Sequence, residues 1–447
     1  MNAAIEVAGR PALPEGPFLV CGLARSGQAV AKALAERGEK VFAVDSAEPD
    51  GAAGLAGLGV ELQLNAAGDD LIGQIRTLVK SPGVPQHAPA VLAARAAGVK
   101  VLGELELGWR MVPGRVIAVT GTNGKTTVSQ MIGHVLREAG TSCTVVGNVG
   151  TPLSALAGGT GNRGTLVVEA SSFQLEDAEK FAPDVALLLN ISPDHLDRHG
   201  TMASYRSAKL KIFECQGEGS IAVVPEAESR GDIGGSADVL SFGEDGAEMT
   251  VADGALHWQG REILASGELA LPGRHNLLNA AAAGTACIAA GVAPDVVGRA
   301  LRSFAGVAHR LELVLDRDGV RWINDSKATN VDSTLTALLA VEGPVRLILG
   351  GQGKGQDFSA LAERVATTCA SVHLIGEATD ALADALKATG VGMSFDLTLG
   401  AAVKSCSAEA RAGESVLLSP ACASFDQFAD FEDRGDQFRR LVEEFAE

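Results

Sequence analysis

Aromatic side chains are scarce in this sequence: one Tyr, three Trp and fourteen Phe make up 4% of 447 residues. So sparse a set offers few platforms on which single-stranded nucleic acid could stack. Basic charge is also in deficit, with 37 Lys and Arg against 55 Asp and Glu, a net charge of −18. Duplex binding draws on clustered cations, so no nucleic-acid partner is expected, although a local basic pocket stays open. No stretch reaches the ~18 apolar residues that would span a bilayer. The alanine-rich segment Ala280–Ala293 is broken by Gly284, Thr285 and Gly291. Met1–Glu15 lacks a basic region followed by an apolar core, the pattern of a secretory signal. The seven cysteines are odd in number and scattered, with no Cys-x-x-Cys pair. That speaks against a disulfide framework or a structural zinc and for a reduced, cytoplasmic setting.

What is present is globular: 46% hydrophobic and 21% charged residues. The length suggests about three domains. Apolar runs of strand length alternate with Ala/Leu-rich helical stretches. Phe18–Leu23, Lys40–Asp45, Val116–Thr120, Thr165–Glu169, Val185–Asn190, Ile221–Val224, Val345–Leu349, Ser371–Ile375 and Ser415–Leu418 read as strands. Their near-continuous hydrophobicity predicts parallel strands covered on both faces, hence an α/β fold. Ala247–Leu271, with short alternating runs and many glycines, predicts a small antiparallel patch. Boundaries are expected near residues 103 and 306, giving segments 1–103, 104–306 and 307–447.

Two glycine loops follow strands. The first, Gly22-Leu23-Ala24-Arg25-Ser26-Gly27, leads into a helix, and the next strand ends at Asp45. A tight turn that aims backbone N–H groups at a diphosphate has this form, and alone it suggests a nicotinamide dinucleotide. Asp45 would then meet a ribose or a base. The second, Gly121-Thr122-Asn123-Gly124-Lys125-Thr126-Thr127, sits between a strand and a helix. Its amides would wrap phosphates, Lys125 would neutralise them and Thr126 would ligate Mg²⁺. Val119 stands where the longer phosphate-loop pattern has its first glycine. The strand Thr165–Glu169 ends in a carboxylate where a metal-supporting acid belongs. No Asn-Lys-x-Asp guanine signature occurs, so ATP is the expected nucleotide. A dehydrogenase leaves the second loop and Glu169 without a role. A nucleotide switch would need guanine specificity.

Read together, Thr120–Thr127, Glu169–Gln174, Asn190–Asp197, Tyr205–Lys211, Gly273–Ala280, His309–Leu311 and Asn324–Asn330 resemble, in this order, the motifs of the Mur ligases. These are the ATP-dependent amide ligases of peptidoglycan precursor synthesis. The resemblance runs from Gly22 to Phe431. The Gly22–Gly27 loop, Ser81-Pro82-Gly83-Val84 and Leu417–Phe431 are similar to the branch that adds D-glutamate. Folate-polyglutamylating relatives resemble only the later two segments, and L-glutamate is separated from D-glutamate by the resemblance alone. The implied fold has three domains: a Rossmann-like N-terminal domain that binds the UDP-substrate, a P-loop mononucleotide-binding central ATPase, and a Rossmann-like C-terminal domain that binds the amino acid.

The resemblance also implies roles. Lys125, His195, Lys209 and Lys327 would be catalytic. Gly121–Thr127, Asn279, Arg310 and Asp325 would bind ATP, the last two reaching over from the third domain. Gly22, Ser26, Gly27, Asp45, Ser46, Ser81, Gly83, Asn148 and His195 would hold UDP-N-acetylmuramoyl-L-alanine. Thr329, Lys354, Ser424 and Phe431 would hold D-glutamate. Thr126, Glu169, His195 and a carbamylated Lys209 would serve two Mg²⁺ ions. A monomer is implied. Without the resemblance Lys209 is an ordinary helix lysine, His195 and His199 belong to a helix start, and Cys422 is packing.

Overall fold

The computed structural model describes residues 9–157, 164–229, 231–271, 273–353 and 356–445. The chain forms two compact units, Met1–Phe304 and Ala305–Glu447. It is an α/β protein with three sheets. Every apolar run named above lies on a strand.

The first sheet holds β1 (Phe18–Cys21), β2 (Val41–Asp45), β3 (Glu61–Leu64), β4 (Thr77–Lys80) and β5 (Lys100–Gly103), in the order β3-β2-β1-β4-β5 and parallel throughout. β1 shows why its sequence is apolar without alternation. Phe18 and Val20 pack into one core with Val30 and Leu34 of the helix Arg25–Glu36. Leu19 and Cys21 point into the other, with Ala90 and Val91 of the helix Pro89–Ala96. Both faces are covered, as parallel sheets require.

The second sheet holds β6 (Arg115–Thr120), β7 (Cys143–Gly147), β8 (Thr165–Glu169), β9 (Val185–Leu188), β10 (Ile221–Pro225), β11 (Asp238–Gly243), β12 (Met249–Ala252), β13 (Ala255–Trp258) and β14 (Arg261–Ala265). Their order is β14-β13-β12-β11-β10-β9-β6-β8-β7. The chain leaves β6 for the β7–β8 side and later returns to pair β9 on the other side. The loop after β6 therefore lies at a topological switch point, where open α/β sheets place ligands. Val116, Ile117, Ala118 and Val119 are fully buried. An Ile117→Ala change is expected to cost about 2–5 kcal/mol. The predicted antiparallel patch is β12–β14, but it extends this sheet through a short parallel pairing with β11.

The second unit carries β15 (Glu312–Arg317), β16 (Val320–Asn324), β17 (Val345–Gly350), β18 (Cys369–Ile375), β19 (Gly392–Leu397) and β20 (Ser415–Leu418). Their order is β15-β16-β20-β17-β18-β19, with β15–β16 antiparallel and the other pairs parallel. Among the described candidates of this unit, Asp325, Lys327 and Thr329 follow the carboxyl end of β16, Ser424 and Phe431 follow that of β20, and Arg310 precedes β15. Among the described residues no helix is long and apolar enough to cross a membrane.

Candidate active site

The loop after β1 opens one side of a cleft of about 790 Å³. Gly22, Ser26, Asp45, Ser46, Ser81, Gly83 and Asn148 all line it. That volume suits a small-molecule site. Gly27 lies beneath the lining: a Cβ there would sit 1.8 Å from the Gly22 carbonyl oxygen and 2.7 Å from Ser81 Oγ. Only glycine permits this approach of helix to strand end. Ser81 Oγ donates to the Gly22 carbonyl at 2.6 Å, so the Ser81–Val84 loop and the glycine loop form one wall. Asp45 is committed to that wall: Oδ2 accepts the Leu23 N–H at 2.6 Å and Oδ1 the Ala47 N–H at 2.9 Å. Its carboxylate thus shapes the glycine loop as well as facing the cleft.

The loop after β6 is clamped from its neighbour strand. The Asn190 carbonyl accepts the Thr122 N–H at 3.0 Å, its Oδ1 accepts the Asn123 N–H at 2.9 Å, and its Nδ2 donates to the Asn123 carbonyl at 3.1 Å. Gly124 has φ +85°, and a Cβ on it would strike Asn279 Oδ1 at 2.5 Å. Asn279 is thereby placed against the loop. Lys125 opens the helix Lys125–Glu138, followed by the buried Thr126 and Thr127. Thr126 Oγ1 donates to Glu169 Oε2 at 2.8 Å, and Asn148 Nδ2 donates to Glu169 Oε1 at 3.2 Å.

Positive charge is concentrated here. Lys125 Nζ donates to the carbonyls of Gly121 and Thr122 at 2.9 and 2.8 Å, and Lys209 Nζ donates to the same Gly121 carbonyl at 2.7 Å. Lys209 is buried in the helix Met202–Glu214. Burial, reinforced by the Lys125 charge, lowers its ammonium from the usual lysine range to about 7. Tyr205 lies beneath that ammonium, 4.5 Å from ring centroid to Nζ, with its hydroxyl 3.2 Å from Thr122 Oγ1. Burial pushes the Tyr205 phenol up to about 12, so it stays protonated.

His195 does not sit inside a helix. It is the N-cap of the short helix Leu196–His199, in the left-handed region at φ +52°, with its side chain half-exposed. Its ring packs on Phe173 at 4.7 Å between centroids, and Nε2 lies 3.3 Å from Asp194 Oδ2. His199 packs on the same Phe173 ring at 5.5 Å between centroids, its Nε2 3.0 Å from Ser172 Oγ. Burial lowers its pKa, which favours the neutral imidazole. Among the described residues no three His, Cys, Asp or Glu side chains gather as a metal-binding group.

In the second unit, Arg310 lies between His309 (φ +60°) and Leu311 (φ +46°), a strained turn that β16 supports. Asp325 Oδ1 accepts the Leu311 N–H at 3.2 Å, and its Oδ2 accepts from Ser419 Oγ at 2.8 Å. Burial raises the Asp325 carboxyl to about 7 despite Arg310 and these donors. The Lys327 N–H donates to the His309 carbonyl at 3.0 Å and the Thr329 N–H to the Lys327 carbonyl at 2.9 Å. Lys327 Nζ lies 5.3 Å from the Phe431 ring centroid. Ser424 is buried, and its carbonyl accepts the Phe428 N–H at 2.9 Å. Lys354 lies outside the described residues.

Sequence reading missed several supporting side chains. Arg434, fully buried, donates from Nε to Ser326 Oγ, from Nη1 to the Ala423 carbonyl and from Nη2 to the carbonyls of Ser326 and Cys422. Ser326 Oγ in turn donates to the Phe431 carbonyl at 2.8 Å. One guanidinium therefore ties together the segments bearing Lys327, Ser424 and Phe431. Its only signal was an arginine one turn into the final helix. Asn190 and Phe173 lay within quoted motifs but carried no assigned role. A row of Ser371 Oγ, His373 and Asp396 at 3.0 and 2.9 Å resembles a nucleophile triad, but Ser371 and His373 are buried and Arg346 donates to the same Oγ. That row pins β18 to β19.

Three family models match the chain. The Mur ligase MurD-like N-terminal domain matches residues 17–103, the Mur ligase middle domain 119–287 and the Mur ligase, glutamate ligase domain 309–422. The chain is 42% identical to the UDP-N-acetylmuramoylalanine–D-glutamate ligase of Pelotomaculum thermopropionicum, over 95% of this chain and 96% of that one. It is 40% identical to the ligase of the same name from Solibacter usitatus, over 95% and 97%. Among solved structures it is similar to the UDP-N-acetylmuramate–alanine ligase of Thermotoga maritima, with TM-score 0.62 and 22% identity over 97% and 99% of the two chains. It is also similar to the MurF ligase of Thermotoga maritima in complex with ADP, with TM-score 0.59 and 18% identity over 96% of each chain. These two structures speak to the fold alone.

Proposed function

The chain belongs to the Mur ligase family, and from that membership we propose that it is the ATP-dependent ligase joining D-glutamate to UDP-N-acetylmuramoyl-L-alanine in peptidoglycan precursor synthesis. One observation carries the reading in this chain. Asn148 lines the cleft and reaches Glu169, and Glu169 holds Thr126 of the phosphate loop. A single carboxylate thus bridges a cleft sized for the UDP-substrate and a loop built for ATP.

Amide formation at neutral pH needs an activated carboxyl group. The γ-phosphoryl group of ATP passes to the terminal carboxylate of the UDP-substrate, giving ADP and an acyl phosphate. The amine of D-glutamate attacks the acyl carbon, loses a proton, and the C–O bond to phosphate breaks. The first step brings two anions together, so preorganised positive charge governs its rate. Lys125 supplies that charge at the loop. Lys209, lowered to about 7, has a neutral amine fraction able to take up carbon dioxide as a carbamate. That change would convert a repelling ammonium into an oxygen ligand.

The Thr126 hydroxyl and Glu169 carboxylate are hard oxygen donors and fit Mg²⁺, whose other ligands would be phosphate oxygens and water. When bound, Mg²⁺ offsets phosphate charge. A carbamylated Lys209 and His195 would serve a second ion. His195, held by Phe173 and Asp194, would orient the substrate carboxylate. For the second unit the family assigns Arg310 and Asp325 to ATP, Lys327 to the reacting groups, and Thr329, Lys354, Ser424 and Phe431 to D-glutamate. A cytoplasmic monomer completes the proposal.

Phosphate release from ATP and Mg²⁺ with UDP-N-acetylmuramoyl-L-alanine tests it, comparing D-glutamate, L-glutamate and no amino acid. Release only with D-glutamate is expected. Release with another amino acid would move the specificity, and no release from folded, ATP-binding protein would overturn the ligase reading.

A further inference from the structure

Arg198, three residues after His195, makes contacts that neither the loop chemistry nor the metal donors require. Its Nη1 donates to the Pro82 carbonyl at 2.8 Å, and its Nη2 to the Val84 carbonyl at 3.2 Å and to Glu176 Oε1 at 2.5 Å. Its guanidinium also stacks over Phe173 at 4.2 Å, and the Phe173 ring is the one that packs on His195. One planar group therefore touches both the Ser81–Val84 wall of the cleft and the support of the histidine.

Glu176 anchors this arrangement. Lys80, with no exposed side-chain surface, pairs with Asp177 at 2.8 Å and Glu176 at 3.6 Å and donates to the Val84 carbonyl at 2.9 Å. Gln86 Nε2 donates to Glu176 Oε1 at 2.6 Å and Asp177 Oδ1 at 3.0 Å. Burial alone would raise the Glu176 carboxyl, but Arg198, Gln86 and Lys80 hold it below the usual carboxylate range. Two carboxylates thus face two cations, and donors from the cleft wall and from the histidine segment converge on them. A pair of buried charges is costly unless its geometry is fixed, so the cluster holds its two halves in one register.

We propose that Arg198 is a positioning residue, anchored on Glu176, that couples occupation of the UDP-substrate cleft to the setting of His195. The inference rests on the proposed function for the identity of the cleft's ligand. A substrate bearing on the Ser81–Val84 loop acts on the two carbonyls that Arg198 holds. The rigid guanidinium passes that constraint to Phe173 and to the helix that His195 caps. A lysine cannot replace it, because a single ammonium cannot bond both carbonyls and Glu176 while stacking on a ring.

The test compares wild type, Arg198→Lys, Arg198→Ala and Glu176→Gln by calorimetric binding of UDP-N-acetylmuramoyl-L-alanine and by steady-state kinetics, with thermal unfolding as a control for folding. For Arg198→Lys and Arg198→Ala, KM for the UDP-substrate is expected to rise about tenfold and kcat to fall about tenfold, with KM for ATP unchanged. For Glu176→Gln, which keeps an acceptor but not the charge, the expected rise is about threefold. A structural staple would lower only the folded fraction, leaving every KM at its wild-type value, and that result overturns the coupling. Equal shifts in both substrates' KM overturn it as well. If Arg198→Ala does not fold, Arg198→Lys and Glu176→Gln decide by the same readouts. Wild-type protein that fails to bind the UDP-substrate rejects the proposed function. Wild-type binding matched by the variants rejects the coupling alone.

Discussion

The two glycine loops of the first unit have the same local form and different chemical means. Each follows a central parallel strand and starts a helix, so each aims backbone N–H groups past a carboxyl strand edge. After β1 the loop is packed for closeness, with Gly27 against the Gly22 carbonyl and Asp45 holding Leu23 and Ala47. No loop lysine follows it, and it opens on a wide cleft. After β6 the loop is packed for charge, with Lys125 and Lys209 sharing the Gly121 carbonyl. The lesson is that a strand–glycine–helix turn fixes where a phosphate can sit. The cations beside it decide whether that phosphate is merely held or is transferred.

The sharpest way to break this contrast is to remove the charge from the second loop. Lys125→Ala is expected to lower kcat for phosphate release about 10³-fold, by loss of preorganised charge. The melting temperature should stay near wild type, since Lys125 is not a core residue. A loss under tenfold would put the two loops in one class.

The next effect belongs to Lys209. Its amine is protonated below about pH 7 and neutral above it. Uptake of carbon dioxide needs the neutral form, so wild-type activity should fall as pH drops through that value. Lys209→Ala is expected to lose about 10²-fold in kcat and to lack this limb of the pH profile. An unchanged profile in the variant would assign the limb to another group and leave Lys209 a packing residue.

Much of this contrast was legible in the sequence, because it is local. Lys125, Thr126 and Glu169 announced themselves through a loop between strand and helix and an acid at a strand end. The strands were legible because buried parallel strands are apolar on both faces, as Phe18–Cys21 and Val116–Val119 show. What stayed hidden depends on distant partners. Asn190 clamps the phosphate loop from about 67 positions away, and Arg434 joins three segments that no spacing links. The pairing of β12 with β11 runs through only two residue pairs, too short to announce that the antiparallel patch extends the central sheet. The lysine pair is the clearest case: a helix lysine acquires its chemistry from burial, and burial is a property of the fold.

The smallest effect is expected at Asp45, and it separates shaping a loop from supplying charge. Its two oxygens each accept one backbone N–H, from Leu23 and from Ala47. Asparagine keeps one acceptor and presents an amide donor to the other N–H, so one charge-assisted bond is lost and a donor faces a donor. A bond of that kind is worth about 1.5–3 kcal/mol. Expressed through the loop that lines the cleft, Asp45→Asn should raise KM for the UDP-substrate about tenfold, while kcat and KM for ATP hold, because the Asp45 carboxylate bonds the backbone of its own loop and strand end. Steady-state kinetics with both substrates varied reads this directly. A fall in kcat with unchanged KM would mean that the first loop, too, acts in the transfer step, and the division of labour between the loops would have to be given up.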